Sequence, residues 1–361
     1  MAANAIAEAI RQEAPQMSVQ VIDPFSSAIE ILPSLMEKLQ SASILLTPGL
    51  YESMWRRGSS GSLFDYASEL SLLQDLMLSN LEKNGSKIVI CTHIVPFGIM
   101  AALKRQNYLD NRQVYGVVTD YGLNNNWPIN DIDGYFVGHE ELRQMLIFRG
   151  VDPEKVHTTG IPLRLNFEKA SWQPLRLPSG NLHILFIAGG LQSGSYVEIQ
   201  QYVAKLIMAV QSIQTDRIHL TIITGRQEKL FKKLSKFIGQ TSFDVNVLGF
   251  IEDMYTLMSE HDILIGKPGG LLVSEALALG MCFIPVRPGP GQETANLEFL
   301  ARHGAATYAG TPEKMAQILT KFLDNPGQIA NIQERAKSLG KPHSARDLVQ
   351  FVLTNYQQAF E

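Results

Sequence analysis

The stretch NLHILFIAGG, residues 181–190, decides the fold. Its apolar run from Leu182 to Ile187 is too short for a helix and breaks at a glycine pair, so it reads as a buried strand running into a turn. The chain then alternates strand-like runs with helix-period segments. IHLTIITG (218–225), FDVNVLGF (243–250), DILIGKPGG (262–270) and CFIPVRPGP (282–290) are each followed by such a segment. Short Val/Ile-rich runs separated by helices imply βαβ units, a parallel sheet and helices on both faces. Toward the amino end, SVQVID (18–23), KIVICT (87–92), QVYGVVTD (113–120), DGYFVG (133–138) and VHTTGIP (156–162) give a second set of strands. The expected fold class is α/β, with two doubly wound parallel-sheet domains.

Between the two sets, EKASWQPLRLPSG (168–180) has no periodicity, carries two prolines and ends in Ser-Gly, as a linker does. The expected organisation is a first domain over 1–168, a linker over 169–180 and a second domain over 181–345. A last helix over 346–361 is apolar at Leu348, Phe351, Val352 and Tyr356. A length of 361 residues also suits two domains, at about 150 residues each. Lysine and arginine number 31 against 35 acids, so no whole-chain field favours nucleic acid. Two cysteines, Cys91 and Cys282, cannot build a disulfide framework or a structural zinc site, and they suit a reducing compartment. No apolar run approaches the roughly 18 residues of a membrane span. The start MAANAIAEAIRQEA reads as an amphipathic helix with Ile6, Ala9 and Ile10 on one face.

In open parallel sheets, ligands bind beyond the carboxyl ends of the strands, so two facing sheets would leave a cleft for chemistry. Three turns at such ends carry information. FIAGGLQSGSYVE brings Gly189, Gly190, Ser193 and Gly194 just ahead of a helix, where bare backbone and free amides suit a phosphate; a plain tight turn is the alternative. GKPGGLLVSEALALG (266–280) puts Gly269 and Gly270 at a second helix start. Glu275, about one turn in, can accept two hydrogen bonds from vicinal ribose hydroxyls or merely complement the helix dipole. PVRPGPGQETANLEFLARHGAA (285–306) sets Gln292, Glu293 and Asn296 after a proline-stiffened turn; amide beside carboxylate suits sugar hydroxyls, and solvated helix-start residues are the alternative.

KPGGLLVSEALALG, RPGPGQETANLEFLARHGAA and LGFIEDMYTLMSEHDILI (248–265) together resemble, in order and spacing, the donor half of glycosyltransferase family 28. The resemblance is nearest to the monogalactosyldiacylglycerol synthase and processive diacylglycerol glucosyltransferase branch. VYGVVTDYGLNNNWPINDIDGYFVGHEELRQMLIFRGVDPEKVHTTGIPLRLNF (114–167) is similar to the same branch, through Thr119-Asp120, Trp127 and Gly160-Ile161-Pro162. The resemblance implies a GT-B fold, an acceptor domain followed by a donor domain, and a UDP-sugar as donor substrate with no metal and no further cofactor. It assigns Gly189, Gly190 and Gly194 to the diphosphate loop, and Phe250 and Ile251 to the uracil. Gly269, Gly270 and Ser274 fall to a second phosphate loop, Glu275 to the ribose, and Gln292, Glu293 and Asn296 to the sugar. The last helix would cross back to the first domain.

Inverting sugar transfer needs a base for the acceptor hydroxyl and stabilisation of the departing diphosphate. His93 and Asp120 end neighbouring strands of the first domain and are the catalytic candidates, with a strand-end histidine and a turn cap as the ordinary alternatives. Family members carry a strand and a glycine-rich loop with a histidine ahead of the helix that MAANAIAEAI matches, so the resemblance implies either such a segment upstream of Met1, the expected case, or a protein that lacks that strand and catalytic loop. LYESMWRRGSSGSLFDYASELSLLQDLMLSNL (50–81) sets Tyr51, Trp55, Arg56, Arg57, Phe64 and Tyr66 beside an apolar helix face, which fits a surface reaching lipid headgroups, anionic ones included, or simply a helix on its own sheet. The expectation is a cytoplasmic, peripheral-membrane hexosyltransferase acting from UDP-hexose on a lipid acceptor such as diacylglycerol, with no nucleic-acid partner. A nucleotide-sugar 2-epimerase of GT-B fold and a non-catalytic UDP-sugar-binding protein are the rivals.

Overall fold

A computed structural model describes residues 1–23, 71–109, 111–171, 180–189, 196–238, 241 and 243–360. The chain divides into two compact units. The first comprises Met1–Leu165, Pro290–Gln292 and His343–Glu361; the second comprises Asn166–Gly289 and Glu293–Pro342.

The first unit is built on strands β1 (Ile88–Cys91), β2 (Gln113–Val117), β3 (Gly134–Phe136) and β4 (Val156–His157), all parallel and lying in chain order. Alternation along each strand sends successive side chains to opposite faces. Val114, Tyr135 and Val137 meet Phe97, Met100, Leu142 and Leu146 from helices α3 (Ile94–Arg105) and α4 (Glu140–Phe148). Trp127, on the connection from β2 to β3, fills the same layer beside Phe97 and Tyr135. Helix α2 (Ser71–Asn84) adds Leu81 to that core, with Met77 and Leu78 against it.

On the opposite face Tyr115, Val117 and Phe136 meet Ala5, Ile6 and Ala9 of helix α1 (Ala2–Glu13). Leu348, Val349 and Val352 of the last helix, Ser344–Phe360, complete this layer. Each buried Ile, Leu or Val contributes about 1.5–3 kcal/mol, so the pairing of the first and last helices is a main source of stability for this face. Its edge is tied by Arg346, which pairs with Glu13 and bonds Gln12 at 3.0 Å. Fully buried Ser344 donates its hydroxyl to the Ile161 carbonyl at 2.8 Å and accepts the Leu163 amide at 3.1 Å.

One expected strand is absent. Residues 18–23 are irregular, and Val21 and Ile22 stand exposed. Apolar alternation makes a strand only where a ladder partner takes its backbone groups, and among the described residues SVQVID pairs with none.

The second unit holds β5 (Leu182–Ile187), β6 (Ile218–Ile223), β7 (Asp244–Leu248), β8 (Ile263–Gly266) and β9 (Cys282–Pro285), all parallel, in spatial order β7-β6-β5-β8-β9. Helices α5 (Tyr196–Gln211), α6 (Glu228–Ile238), α7 (Met254–Ser259) and α8 (Gly270–Leu279) connect these strands in turn. Helices α9 (Gln292–Arg302), α10 (Pro312–Asp324) and α11 (Gly327–Leu339) follow β9, and Ser344–Phe360 is α12. Helix α8 stops at Gly280, which holds φ at 67°, the left-handed cap that favours glycine. The sequence-derived linker begins inside a short 3₁₀ turn, Leu165–Ser171, and its residues 172–179 lie outside the described ones.

Candidate functional site

The order of the second sheet creates a switch point. From β5 the chain builds outward through β6 to β7, then returns to lay β8 and β9 on the other side of β5. The turns leaving β5 and β8 therefore depart in opposite directions and open a crevice at the carboxyl ends. The first two glycine turns lead from these strands, and the third follows β9 alongside.

At the β5 turn, a Cβ on Gly189 would come within 2.7 Å of the Thr224 carbonyl oxygen, so glycine is required there by the neighbouring strand end. The Gly189 carbonyl accepts from Gln227 Nε2 at 2.9 Å. Gly190, Ser193 and Gly194 lie outside the described residues. At the β8 turn, Gly269 is the N-cap of α8, with φ −71° and ψ 145°, and supplies no side-chain cap. A Cβ built on it meets nothing within 4 Å. The amides of the first turn of α8 are thus left without a side-chain cap from that position, beside open space. Helix α11, begun at Pro326, also has no side-chain cap; what distinguishes α8 is its place at the switch point. Ser274 is buried, and its hydroxyl donates to the Gly270 carbonyl at 2.8 Å. Glu275 is half-buried on the less covered face of α8, in line with Leu271 and Leu279.

The second and third turns are bound to each other. Lys267 Nζ lies 3.0 Å from Glu293 Oε1, with the two side chains only 10% and 21% exposed. Glu293 Oε2 also accepts the Gly289 amide, and Asn296 Nδ2 donates to the Pro268 carbonyl at 2.9 Å. Asn296 has no exposure at all, so its amide shapes the β8 turn rather than facing solvent. Glu293 and Asn296, expected from sequence as sugar contacts, thus also tie the turns together, and that task was not legible in their spacing. Gln292 opens α9 and is half-buried.

Phe250, after β7, is 56% exposed, and the Arg226 guanidinium lies 4.5 Å from its ring centroid; Ile251 beside it is half-buried. Sequence reasoning did not single out Arg226, Lys267 or Arg287. Arg287 holds φ at 45°, a region costly for a long side chain, and its guanidinium lies 5.4 Å from the Tyr202 ring centroid. The signal for Lys267 was its place beside Pro268-Gly269-Gly270; nothing local marks the other two.

In the first unit, β1 and β2 pair with Cys91 opposite Gly116, so His93 and Asp120 follow the carboxyl ends of neighbouring strands. His93 is the N-cap of α3, and its Nδ1 accepts the Val95 amide at 3.3 Å. That bond fixes the remaining ring proton of the neutral form on Nε2. Although the residue is open to solvent, desolvation of the ring lowers its pKa, with the charge of Asp23 acting in the opposite direction. Asp120 is half-buried. His139 repeats the device at the start of α4, its Nδ1 accepting the Glu141 amide at 3.3 Å.

Residues 50–70 of the segment read as a lipid-facing surface lie outside the described ones, and in α2 the face carrying Leu81 packs on the unit's own core. Among the described residues no helix is long and apolar enough to cross a membrane.

Comparison with known proteins matches residues 1–163 to the monogalactosyldiacylglycerol synthase family and residues 193–339 to glycosyl transferases group 1. The processive diacylglycerol beta-glucosyltransferase of Bacillus pumilus is 28% identical over 66% of this chain and 62% of its own length; that of Bacillus subtilis is 27% identical with the same coverage. The matched region thus spans about three-fifths of these relatives. Among solved structures, MurG of Acinetobacter baumannii superposes with a TM-score of 0.57 at 18% identity, covering 79% of this chain and 80% of that one. The MnaA–UDP co-structure from S. aureus gives 0.60 at 12% identity, covering 98% and 94%. At such identities these two show the fold, which is GT-B. Each half of the chain is thus similar to glycosyltransferases, the first to the monogalactosyldiacylglycerol synthase family and the second to glycosyl transferases group 1, on a GT-B fold.

Proposed function

We propose that this protein is an inverting glycosyltransferase that moves a hexose from UDP-hexose to a lipid hydroxyl, that of diacylglycerol, while associated peripherally with the cytoplasmic face of a membrane. The observation that carries the reading is the β8 turn at the switch point: an uncapped helix start stapled to the turn after β9. Backbone amides at a helix start that has no side-chain cap can receive a diphosphate both in the ground state and as charge grows on it during departure. Glu275 takes the ribose hydroxyls, the backbone beside Phe250 and Ile251 takes the base, and Gln292 takes the sugar.

In the reaction, the acceptor oxygen forms its bond to the anomeric carbon as the bond to the diphosphate breaks, and the leaving electron pair passes to the phosphate. A single displacement inverts the anomeric centre. The hydroxyl proton needs an acceptor, and the hydrogen bond at His93 supports unequal roles for the two candidates. The Nδ1 lone pair of His93 is spent on Val95 and its Nε2 carries the proton, so His93 orients the acceptor oxygen by donating to it. Asp120 is then the base.

Labelled UDP-glucose or UDP-galactose with diacylglycerol vesicles is expected to give a labelled glycolipid of inverted anomeric configuration. Tight UDP-sugar binding with no product from any lipid would instead mark a binding protein, and conversion of UDP-GlcNAc to UDP-ManNAc an epimerase.

A further inference from the structure

Between the turns that leave β5 and β7 runs the turn that leaves β6, residues 224–227, and it carries an arginine that neither the phosphate turns nor the core uses. Both neighbours grip this turn. On one side Gln227 Nε2 donates to the Gly189 carbonyl at 2.9 Å. On the other, the Thr224 amide and hydroxyl donate to the Leu248 carbonyl at 2.9 and 3.1 Å. Gly225 holds φ at 60°, a left-handed conformation that glycine enters freely, and the chain turns there to leave Arg226 exposed. A Cβ built on Gly225 meets nothing within 4 Å, and one on Gly249 meets only the Gly225 carbonyl oxygen, at 3.9 Å. The two turns thus leave space free of side chains at their glycines, with Arg226 and Phe250 next along the chain. The Arg226 guanidinium lies 4.5 Å from the centroid of the Phe250 ring, itself 56% exposed. Among the described residues the Arg226 side chain makes no hydrogen bond and no ion pair, so its N–H groups are uncommitted.

We infer that Arg226 binds the nucleobase of the donor, its guanidinium plane lying on the face of the pyrimidine ring whose edge meets the backbone beside Phe250 and Ile251. The inference deepens the UDP-sugar reading and rests on it. A base held by its edge leaves its faces to be covered, and a planar, weakly hydrated guanidinium covers a base as it covers an aromatic side chain. Cation–π attraction to Phe250 already holds the arginine over the turn, so less side-chain freedom is lost when the ligand arrives. A diphosphate is the other group an arginine could take. The position of Arg226 argues for the base: its ring partner follows β7, on the side of the sheet away from β8 and the bare start of α8.

Calorimetry of the full chain with UDP and with pyrophosphate tests it. Arg226→Ala is expected to weaken UDP binding about tenfold and to leave pyrophosphate binding unchanged. Arg226→Lys keeps the charge but not the plane, and is expected to bind UDP as weakly as Arg226→Ala. Phe250→Leu keeps an apolar side chain but takes away the ring that supports the guanidinium, and should weaken UDP by a smaller factor, about threefold. Thermal melting of both Arg226 variants is expected to match the wild type, since the side chain is exposed. Unchanged UDP affinity in Arg226→Ala overturns the inference. Equal losses for UDP and pyrophosphate, or full recovery in Arg226→Lys, overturn it too, because either makes Arg226 a phosphate ligand. Sugar transfer from UDP-glucose to diacylglycerol separates the two readings. If Arg226→Ala transfers sugar with the wild-type KM for UDP-glucose, the base contact fails alone; if UDP binding depends on Arg226 and no lipid is glycosylated, the transferase reading fails alone.

Discussion

In the first unit, α3 and α4 each begin with a histidine whose ring accepts an amide of the first turn. In the second, α7 and α10 begin with Asp253 and Thr311, which do the same, while α8 at the switch point begins with a glycine that does not. A side-chain cap answers the helix start from within the protein and is worth about 1 kcal/mol. An uncapped start forgoes that stability and keeps its amides available for an anion arriving from outside. Helices α1 and α11 also start without a side-chain cap, so it is the bare start together with its place at the switch point that marks α8 for a ligand, and this can be pressed experimentally.

The largest effect is expected at the staple that holds the uncapped turn. Lys267→Met leaves Glu293 charged in a largely covered position, and loss of one partner of a buried pair costs about 3 kcal/mol. Chemical denaturation should show that loss, and calorimetry should show weaker UDP binding. If UDP affinity stays unchanged, the staple does not shape the anion site. Glu275→Ala is expected next. Removing a carboxylate that accepts from ribose should cost about 2 kcal/mol, or roughly 30-fold in UDP affinity. Melting should be little altered, and equal affinity for UDP and uracil-free pyrophosphate in both proteins would remove Glu275 from the ribose.

His93 gives a pH-dependent test of a capped start. Its pKa is lowered in the folded chain, so its contribution is present above the ordinary value of 6.5 and is lost as pH falls through the folded value. Protonation also takes the Nδ1 lone pair from Val95. Protection of the α3 amides, measured as exchange relative to the intrinsic rate at each pH, should therefore fall as pH drops through the lowered folded value, and His93→Asn, an acceptor that does not titrate, should abolish that fall. His93→Ala should cost about 1 kcal/mol at neutral pH and leave UDP binding intact. The smallest effect is expected at Gly269→Ser, which gives α8 the cap it lacks. Stability should rise by a few tenths of a kcal/mol, while UDP affinity falls because the hydroxyl competes for the same amide. A variant that gains in both would break the contrast.

Legibility in the sequence followed periodicity. Leu182–Ile187 and Ile218–Ile223 announce buried parallel strands because both faces are covered, and Ala5, Ile6 and Ala9 announce a helix face. SVQVID misled because alternation reports which side chains are apolar and not whether a ladder partner is at hand. The glycines of the β8 turn were legible because a helix start without a side chain has few uses. What Glu293 and Asn296 do was not, since it depends on Lys267 and the Pro268 carbonyl more than 25 residues away. The stacking of Arg226 on Phe250 was hidden for the same reason. Local sequence carries propensity and period, whereas pairings between loops are made by the sheet that brings strand ends together.

Ser344, which joins the Ile161 carbonyl and the Leu163 amide across 183 and 181 positions, has a consequence for how the molecule assembles. During synthesis α1 leaves the ribosome with its apolar face uncovered, and the helix that covers it follows only after the entire second unit. The second unit closes largely through neighbouring βαβ contacts and can fold as it emerges, whereas the face between α1 and α12 is a long-range closure of the slow, aggregation-exposed kind. The first unit to be made is then the last to be finished, and in the interval its exposed helix face is a natural client for a chaperone.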